Sequence, residues 1–259
     1  MHRILAITNQ KGGVGKTTTT VNLAASLAAT KRRVLLIDID PQGNATMGCG
    51  VDKRSLELSM TDVLLGDCEL AAAMVQVDPG HFTLVPGNQD LVAAEVQLMT
   101  MIGREVRLRN ALKPVRDHYE VILIDCPPSL NLLTLNAMVA AHAVLVPVQC
   151  EFFALEGISQ LKESIDQIRA TLNPTLEIQG VVLTMHDART SLSKEVADNV
   201  RAFFGPKVYE TIIPRNIRVA EAPSHGKPIL LYDYDCAGSQ AYIRLATEII
   251  ERERQLRAA

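Results

Sequence analysis

Short apolar runs alternate with amphipathic stretches along most of the chain. Runs of about four to eight apolar residues are typical of strands buried on both faces of a sheet, whereas apolar residues three and four apart are typical of helices. The runs predict strands at residues 3–8, 34–39, 82–85, 121–124, 143–148 and 178–184. Helical spacing separates them at 16–30, 92–117, 132–141, 155–171 and 192–204, and a last helix is expected over 239–257.

This alternation predicts an α/β fold. Strands that alternate with helices usually form a mostly parallel, doubly wound sheet with helices on both faces. No repeat, low-complexity stretch or linker rich in proline and glycine divides the sequence. We therefore expect a single domain over residues 1–259. Because the first predicted strand begins at residue 3, we expect no N-terminal helix-turn-helix extension.

Composition and charge narrow the class of protein. The 259 residues are 47% hydrophobic and carry a formal net charge of −3, which argues against disorder. No run of about 18 apolar residues exists, and the apolar N-terminal run is too short for a signal peptide, so a cytoplasmic protein is expected. The 5 cysteines are scattered without C-x-x-C spacing, which predicts buried or incidental thiols and neither disulfides nor a zinc site.

The turn between the first strand and the first helix carries the strongest chemical signal. Its sequence is Lys11-Gly12-Gly13-Val14-Gly15-Lys16-Thr17-Thr18. Glycines let the backbone wrap closely around an anion, so that N–H groups of the loop and of the helix N-terminus point at phosphate oxygens. Lys16 can reach the β- and γ-phosphates, and the Thr17 hydroxyl can ligate Mg²⁺. A dinucleotide-binding turn is disfavoured, because Thr18 stands where that pattern requires glycine or alanine.

Carboxylates follow two of the predicted strands. Asp125 ends the strand at 121–124, where a carboxylate can hold Mg²⁺ through its water shell. Asp38 and Asp40 follow the second strand, and the alternation of side chains predicts one near the metal and the other toward the γ-phosphate. These positions predict a magnesium-dependent site for a nucleoside triphosphate.

The loop departs from the ordinary P-loop pattern G-x-x-x-x-G-K-[ST] at its first position. Gln10 replaces the first glycine, and a second lysine, Lys11, follows it. With the segments at 34–46, 121–129, 146–157, 182–190 and 213–229, this loop closely resembles the deviant Walker ATPases of the ParA/MinD class. The likeness is greatest to the chromosomal ParA, or Soj, branch, and it covers nearly the whole chain.

The resemblance implies an ATPase that uses ATP and Mg²⁺ and forms a homodimer when ATP binds. Lys11 would reach across the dimer to the partner's phosphates, and Gly12 would lie at the interface. Asp40 would position the attacking water, while Asp38 would lie nearer the magnesium. The resemblance also implies that the segment Pro214-Arg215-Asn216 lines the adenine pocket. The amide of Asn216 offers both a donor and an acceptor to a base.

A basic stretch lies within this slightly acidic chain. Residues 189–227 contain seven basic and four acidic side chains, a local net charge of +3. This asymmetry predicts a phosphate-binding surface, and the absence of an aromatic ladder favours duplex over single-stranded nucleic acid. The resemblance identifies Arg189 and Arg218 as DNA-backbone arginines. We therefore expect non-specific, salt-dependent binding to duplex DNA of the nucleoid, with hydrolysis stimulated by a ParB-like centromere-binding partner.

Two functions from other classes stay open. A Min-type membrane-associated positioning ATPase is the first alternative; it is disfavoured because residues 251–259 offer Leu256 and two alanines but no wide apolar face. We therefore expect no membrane partner. The second alternative is an electron-transferring relative of the nitrogenase iron protein, which needs cluster cysteines. Cys126 and Cys150 do not stand in the required contexts.

Overall fold

A computed structural model describes residues 3–152 and 154–258, except for the side chains of 154–157 and 256–258. Three parts of the predictions lie outside these described residues. They are Met1, His2 and Ala259 of the predicted domain, Phe153 of the segment at 146–157, and the Leu256 side chain on which the expectation for the C-terminus rests. Within the described residues, no helix is both long enough and apolar enough to cross a membrane.

The described residues form one eight-stranded sheet, with the strand order β3-β4-β2-β5-β1-β6-β7-β8. Its strands are β1 Arg3–Ile7, β2 Val34–Asp38, β3 Val75–Val77, β4 Phe82–Val85, β5 Val121–Asp125, β6 Ala143–Gln149, β7 Glu177–His186 and β8 Val208–Pro214. Only the short edge strand β3 runs antiparallel to its neighbour in this described sheet; the other pairs are parallel. The prediction of a mostly parallel α/β sheet is confirmed.

Helices connect the strands and cover both faces of the sheet. They are α1 Lys16–Ala29, α2 Asn44–Gly48, α3 Met60–Leu65, α4 Leu91–Leu98, α5 Arg107–Leu112, α6 Leu132–Ala140, α7 Ala154–Thr171, α8 Ser191–Phe204, α9 Ile217–Glu221, α10 Ile229–Tyr232 and α11 Ala237–Ala258. Side-chain caps fix where four of them begin. Ser59, Asn131, Thr190 and Asn216 each accept a hydrogen bond from a backbone N–H of the first turn, in α3, α6, α8 and α9 respectively.

Side chains of the central strands point alternately into two apolar cores. In β2, Leu35 and Ile37 pack into the core that α3 to α8 close, whereas Val34 and Leu36 pack into the core that α1, α2, α10 and α11 close. Successive residues of a strand face opposite sides of the sheet, so a strand covered on both sides needs an uninterrupted apolar run. The continuous runs in the sequence therefore reflect burial on both faces.

Two details of the sequence predictions differ from the structure. The helix predicted over 92–117 is wrong as a single helix, because the chain leaves α4 and takes a left-handed conformation at Gly103, with φ 68°, before α5 begins. Buried leucines on both pieces, at 91, 98, 108 and 112, continue the helical spacing across the break. Strands β3 and β8 were not among the predicted strands; β3 has only 3 residues.

The register of the sheet brings the ends of the central strands together. In parallel pairing, Asp125 at the end of β5 is the partner of Ile7 in β1 and of Asp38 in β2. The loop after β1 leads into α1, so the glycine-rich turn lies at the same edge as both aspartates. Ligands of open α/β sheets bind at this carboxyl edge of the strands.

Candidate functional site

The glycine-rich loop is open on its outer side. Gly13 and Gly15 take left-handed conformations, with φ 74° and 87°, which glycine adopts without strain. Among the described atoms, none lies within 4 Å of a Cβ built on Gly12 or Gly13. Gly15 is the N-cap of α1 and has no side chain to cap the helix, so the first N–H groups of α1 face the loop. An anion can therefore approach the backbone closely.

Neighbouring strands hold the loop from behind. The Thr184 hydroxyl at the end of β7 donates to the Val14 carbonyl at 2.8 Å. Asn9 accepts from the Lys11 N–H at 3.0 Å and donates to the Pro147 carbonyl at 2.8 Å. These bonds tie the loop to β6 and β7. None of the holding side chains was predicted, since hydroxyls and amides at strand ends carry no distinctive spacing.

The two lysines of the loop differ in environment. Lys16 is 7% exposed, its ammonium donates to the Lys11 carbonyl at 3.0 Å, and burial lowers its pKa despite the nearby Asp125. The Lys11 ammonium is half-exposed and lies 3.5 Å from a carboxylate oxygen of Glu151. Glu151 was not predicted as part of the site. Thus Lys16 is fixed inside the loop, whereas Lys11 makes only a long surface ion pair, which stabilises little.

Asp125 is fully buried beside α1. One carboxylate oxygen accepts from the Thr17 hydroxyl at 2.8 Å, and the other accepts from the Thr20 hydroxyl at 2.8 Å. Burial and the charge of Asp38 raise the pKa of Asp125 well above its ordinary value, while the two hydroxyls offset part of this rise. The structure brings together the predicted pair Thr17 and Asp125; Thr20 was missed.

Asp38 is anchored as firmly as Asp125. One of its oxygens accepts from the Thr46 N–H at 2.8 Å and from the Thr46 hydroxyl at 2.7 Å, and the other accepts from the Asp40 N–H at 3.2 Å. Burial, more than any neighbouring charge, raises the pKa of Asp38 to about 7. Asp40 itself is 6% exposed, and its carboxylate accepts from the Gln42 N–H at 2.9 Å.

This part of the site suits a divalent cation. The oxygens of Thr17, Asp125 and Asp38 form a donor set of hydroxyl and carboxylate groups, which Mg²⁺ prefers. Asp38 and Asp125 lie at paired positions of neighbouring strands, and burial raises the pKa of both by disfavouring their charged forms. A bound cation would favour those charged forms.

The segment predicted to line an adenine pocket begins at Pro214, the last residue of β8. The Arg215 N–H donates to the His186 carbonyl at 3.0 Å, which ties the segment to the end of β7. The side-chain oxygen of Asn216 accepts from the Val219 N–H at 3.2 Å and caps α9. Pro214 is the register partner of His186. The segment thus lies beside the strand that carries Thr184, and the capping bond leaves the amide nitrogen of Asn216 for other contacts.

The two arginines predicted to bind DNA form ion pairs within the chain. Arg189 is 85% exposed at its side chain and contacts both carboxylate oxygens of Asp187, at 2.9 and 2.7 Å. Arg218 lies 3.1 Å from Glu221 and 3.4 Å from Asp233. The two arginines follow β7 and β8, which are neighbours in the sheet. Their partner carboxylates were not predicted.

Comparison with known proteins gives consistent likenesses over the chain. A model of the AAA domain family matches residues 2–178. The chain is 56% identical over 258 residues to the chromosome partitioning protein ParA of Caulobacter vibrioides, covering 99% of this chain and 97% of that protein. It is 51% identical over 249 residues to the sporulation initiation inhibitor protein Soj of Bacillus subtilis, covering 96% and 98%. The crystal structure of a cobyrinic acid a,c-diamide synthase from Mycobacterium smegmatis with bound ADP and magnesium matches with a TM-score of 0.87 and 39% identity, over 98% of this chain and 96% of that one.

Proposed function

Because the chain belongs to the ParA and Soj family of chromosome-partitioning ATPases, we propose that it is a nucleotide-controlled DNA-binding switch. The protein is a P-loop ATPase that uses ATP and Mg²⁺. In our proposal, ATP joins two copies, the dimer binds duplex DNA of the nucleoid without sequence preference, and hydrolysis stimulated by a ParB-like partner returns the monomers. The reaction takes place in the cytoplasm.

The phosphate groups are bound by the loop and by α1. N–H groups of residues 12–18 and the ammonium of Lys16 would hold the β- and γ-phosphates, and the partial positive charge of the α1 N-terminus favours the same anion. Thr17 would ligate Mg²⁺, with Asp125 and Asp38 close by; the ion supplies positive charge that neutralises the phosphates. The observation that carries this proposal is that the Thr17 hydroxyl donates to the buried Asp125 carboxylate, whose charge also acts on the buried Lys16 ammonium.

Asp40 is assigned to the attacking water. An ordinary carboxylate is a weak base at neutral pH, so its contribution is to orient the water. The Gln42 N–H holds one carboxylate oxygen, and the slight exposure of Asp40 leaves the group accessible from the loop side. Pro214, Arg215 and Asn216 are assigned to the adenine, with the amide nitrogen of Asn216 as the donor.

Lys11 and Gly12 are assigned to the dimer. The long pair with Glu151 is weak enough to exchange for a phosphate of the partner copy, where an added cation would stabilise the transition state. The open space above Gly12 supports close approach of two loops. Arg189 and Arg218 are assigned to the DNA backbone. DNA phosphates would therefore compete with Asp187 for Arg189, and with Glu221 and Asp233 for Arg218.

The testing experiment compares duplex DNA binding with ATP, with ADP and without nucleotide, beside light scattering in the same buffers. We expect dimers and strong DNA binding only with ATP and Mg²⁺. The control is Gly12→Val. A Cβ added at Gly12 meets no described atom within 4 Å in the single chain, so this variant should still bind ATP. Its side chain should obstruct the second loop, so the variant should stay monomeric and bind DNA weakly. Equal DNA binding in all three nucleotide states would contradict the switch, and preferential binding to anionic vesicles would favour a Min-type function.

A further inference from the structure

The carboxylate of Asp125 lies between two hydroxyls of one helix. Thr17 and Thr20 are three residues apart on α1, so both face β5, and each donates to a different oxygen of Asp125 at 2.8 Å. Thr20 and Asp125 are fully buried. The contact with Thr17 follows from the proposed magnesium site, whereas nothing in that site requires a hydroxyl at position 20.

The Thr20 hydroxyl has two acceptors but one proton. Its oxygen lies 2.9 Å from the Lys16 carbonyl and 2.8 Å from Asp125 Oδ1. An ionised carboxylate is the stronger acceptor, so the proton is directed to Asp125 when that group carries its charge. Within the described residues, Thr20 is the only donor recorded for Oδ1. A valine would fill the same space but would leave this buried oxygen without a donor, at considerable cost.

We propose that Thr20 is a positioning residue for the magnesium site, holding Asp125 Oδ1 so that Oδ2 stays on Thr17 and faces the ion. The proposal rests on the proposed assignment of Thr17 and Asp125 to Mg²⁺. With Oδ1 fixed, the carboxylate cannot turn about its Cβ–Cγ bond. The Thr17 hydroxyl then continues to donate its hydrogen bond to Oδ2, and the lone pairs of its oxygen stay free for the ion. Residues that orient a metal's ligands typically change metal affinity 10- to 100-fold when mutated.

Thr19 provides a matched control on the same helix. It is as fully buried as Thr20, but its hydroxyl lies 3.4 Å from the Tyr242 hydroxyl, in the contact between α1 and α11. Thr19→Val therefore removes a buried hydroxyl from α1 without touching Asp125. Any general effect of such a substitution on the helix should be shared by both variants.

The experiment is a Mg²⁺ titration of fluorescent ADP binding to the full chain, for native protein, Thr20→Val, Thr20→Ser and Thr19→Val. We expect Thr20→Val to raise the Mg²⁺ concentration at half-saturation about tenfold, with ADP affinity in EDTA unchanged and the loss recovered at high Mg²⁺. Thr20→Ser should restore the native value. The shift of the melting temperature on adding Mg²⁺ and ADP should shrink in the valine variant alone.

Identical titrations for Thr20→Val and Thr19→Val would overturn the proposal, as would a Thr20→Ser variant no better than valine. If the valine variant does not fold by circular dichroism, Thr20→Ala is carried through the same titration against Thr19→Ala. A native chain whose ADP binding ignores Mg²⁺ would instead contradict the assignment of Thr17 and Asp125. The two failures are therefore distinguishable.

Discussion

Asp38 and Asp125 illustrate how single residues are constrained at this site. They are register partners on neighbouring strands, both fully buried, and each is held by a threonine hydroxyl. Burial raises the pKa of both carboxylates; the charge of Asp38 adds to the rise at Asp125, and the charge of Asp40 adds to the rise at Asp38. Without a bound cation, the folded protein is therefore less stable when both carboxylates are ionised than when both are neutral.

This arrangement predicts that stability without ligand falls as pH rises. Because the folded-state pKa of Asp38 is raised to about 7, its stabilisation is complete below the unfolded pKa near 4 and is lost as pH rises through about 7. Asp38→Asn cannot ionise, so it should gain stability relative to the native chain by about 1.4 kcal/mol per pH unit within that window. Urea unfolding between about pH 5 and pH 7 measures the difference.

Asp187 provides the control for this pH dependence. Hydrogen bonds from Arg189 lower its pKa, so it stays ionised over the same window and Asp187→Asn should show no trend. Saturating Mg²⁺ and ADP should remove the trend of Asp38→Asn. A difference between native protein and Asp38→Asn that does not vary with pH would contradict the raised pKa.

Asp40→Ala should separate binding from turnover. We expect ATP and Mg²⁺ to bind near normally and the ATP dimer to accumulate, while phosphate release falls roughly 100-fold, since only the orientation of the water is removed. Lys16→Ala should instead weaken nucleotide binding, because Lys16 lies inside the loop. Equilibrium nucleotide binding and phosphate release on both variants check this; normal turnover in Asp40→Ala would refute the assignment.

The sequence predicts the residues of this site that belong to motifs but not those that hold them. Lys16, Thr17 and Asp125 stand out by spacing and by position at strand ends, and the structure brings them together. Thr20, Thr46 and Glu151 are ordinary helix and loop residues in the sequence. Their importance depends on which strands are neighbours, and a single sequence does not state the strand order.

At the scale of elements, the chain just after α2 packs closely against the segment 222–227. The backbones of Gly50, just after α2, and Gly226 pass so closely that a Cβ on Gly226 would lie 2.7 Å from the Gly50 Cα. Helix α2 carries Thr46, which holds Asp38, and the segment follows α9, which carries Arg218. The two glycines therefore connect the element that holds Asp38, a proposed magnesium-side carboxylate, with the element that bears a predicted DNA contact.

Gly226→Ala should destabilise the protein more than left-handed strain alone explains. Gly103→Ala is the control, because Gly103 has a similar φ of 68° but its added Cβ would meet only a side chain at 3.6 Å. We expect roughly 1 kcal/mol lost for Gly103→Ala from strain and a further 1–3 kcal/mol for Gly226→Ala from the backbone clash. Urea unfolding measures both, and equal losses would contradict the tight contact.

The sequence predicts strands that are buried on both faces, but it misses short or partly exposed strands and a break within a helical pattern. Strands β1, β2 and β5 are covered on both faces, so their apolar runs are unambiguous. The exposed and partly buried residues of β8 and the three residues of β3 give weaker patterns. The break between α4 and α5 depends on Gly103, because apolar spacing alone continues through it.

At the scale of the whole molecule, the proposed ATPase and DNA-binding residues occupy different parts of one sheet edge. Lys16, Asp38 and Asp125 cluster at β1, β2 and β5, whereas Arg189 and Arg218 follow β7 and β8. Both arginines already have carboxylate partners. Because each arginine must share its charge with a carboxylate, a single arginine should contribute little to DNA affinity. Strong binding should therefore depend on the number of phosphates that the dimer contacts together.

Arg189→Ala and Arg218→Ala should each weaken binding to unrelated duplexes. Each should flatten the salt dependence by about one phosphate per monomer, which is a slope change of about 1.8 for the dimer. Arg54→Ala is the control. Arg54 forms an ion pair with Asp52, two residues before it, as Arg189 does with Asp187, but Arg54 lies outside the basic stretch. Salt titrations of duplex binding, with light scattering in ATP, provide the measurement. An unaltered slope, or loss of the dimer, would assign these arginines another role.

The position of β1 in the sheet has a consequence for how the protein is made. Both neighbours of β1, β5 and β6, begin only at residues 121 and 143. At about 5–20 residues per second, roughly 6–23 s of translation separate the first strand from its first partner. Throughout that interval the nascent chain contains the whole phosphate-binding loop but neither of the strands that pair with β1. ATP therefore cannot stabilise the emerging chain through this site until β5, which ends at Asp125, has been synthesised.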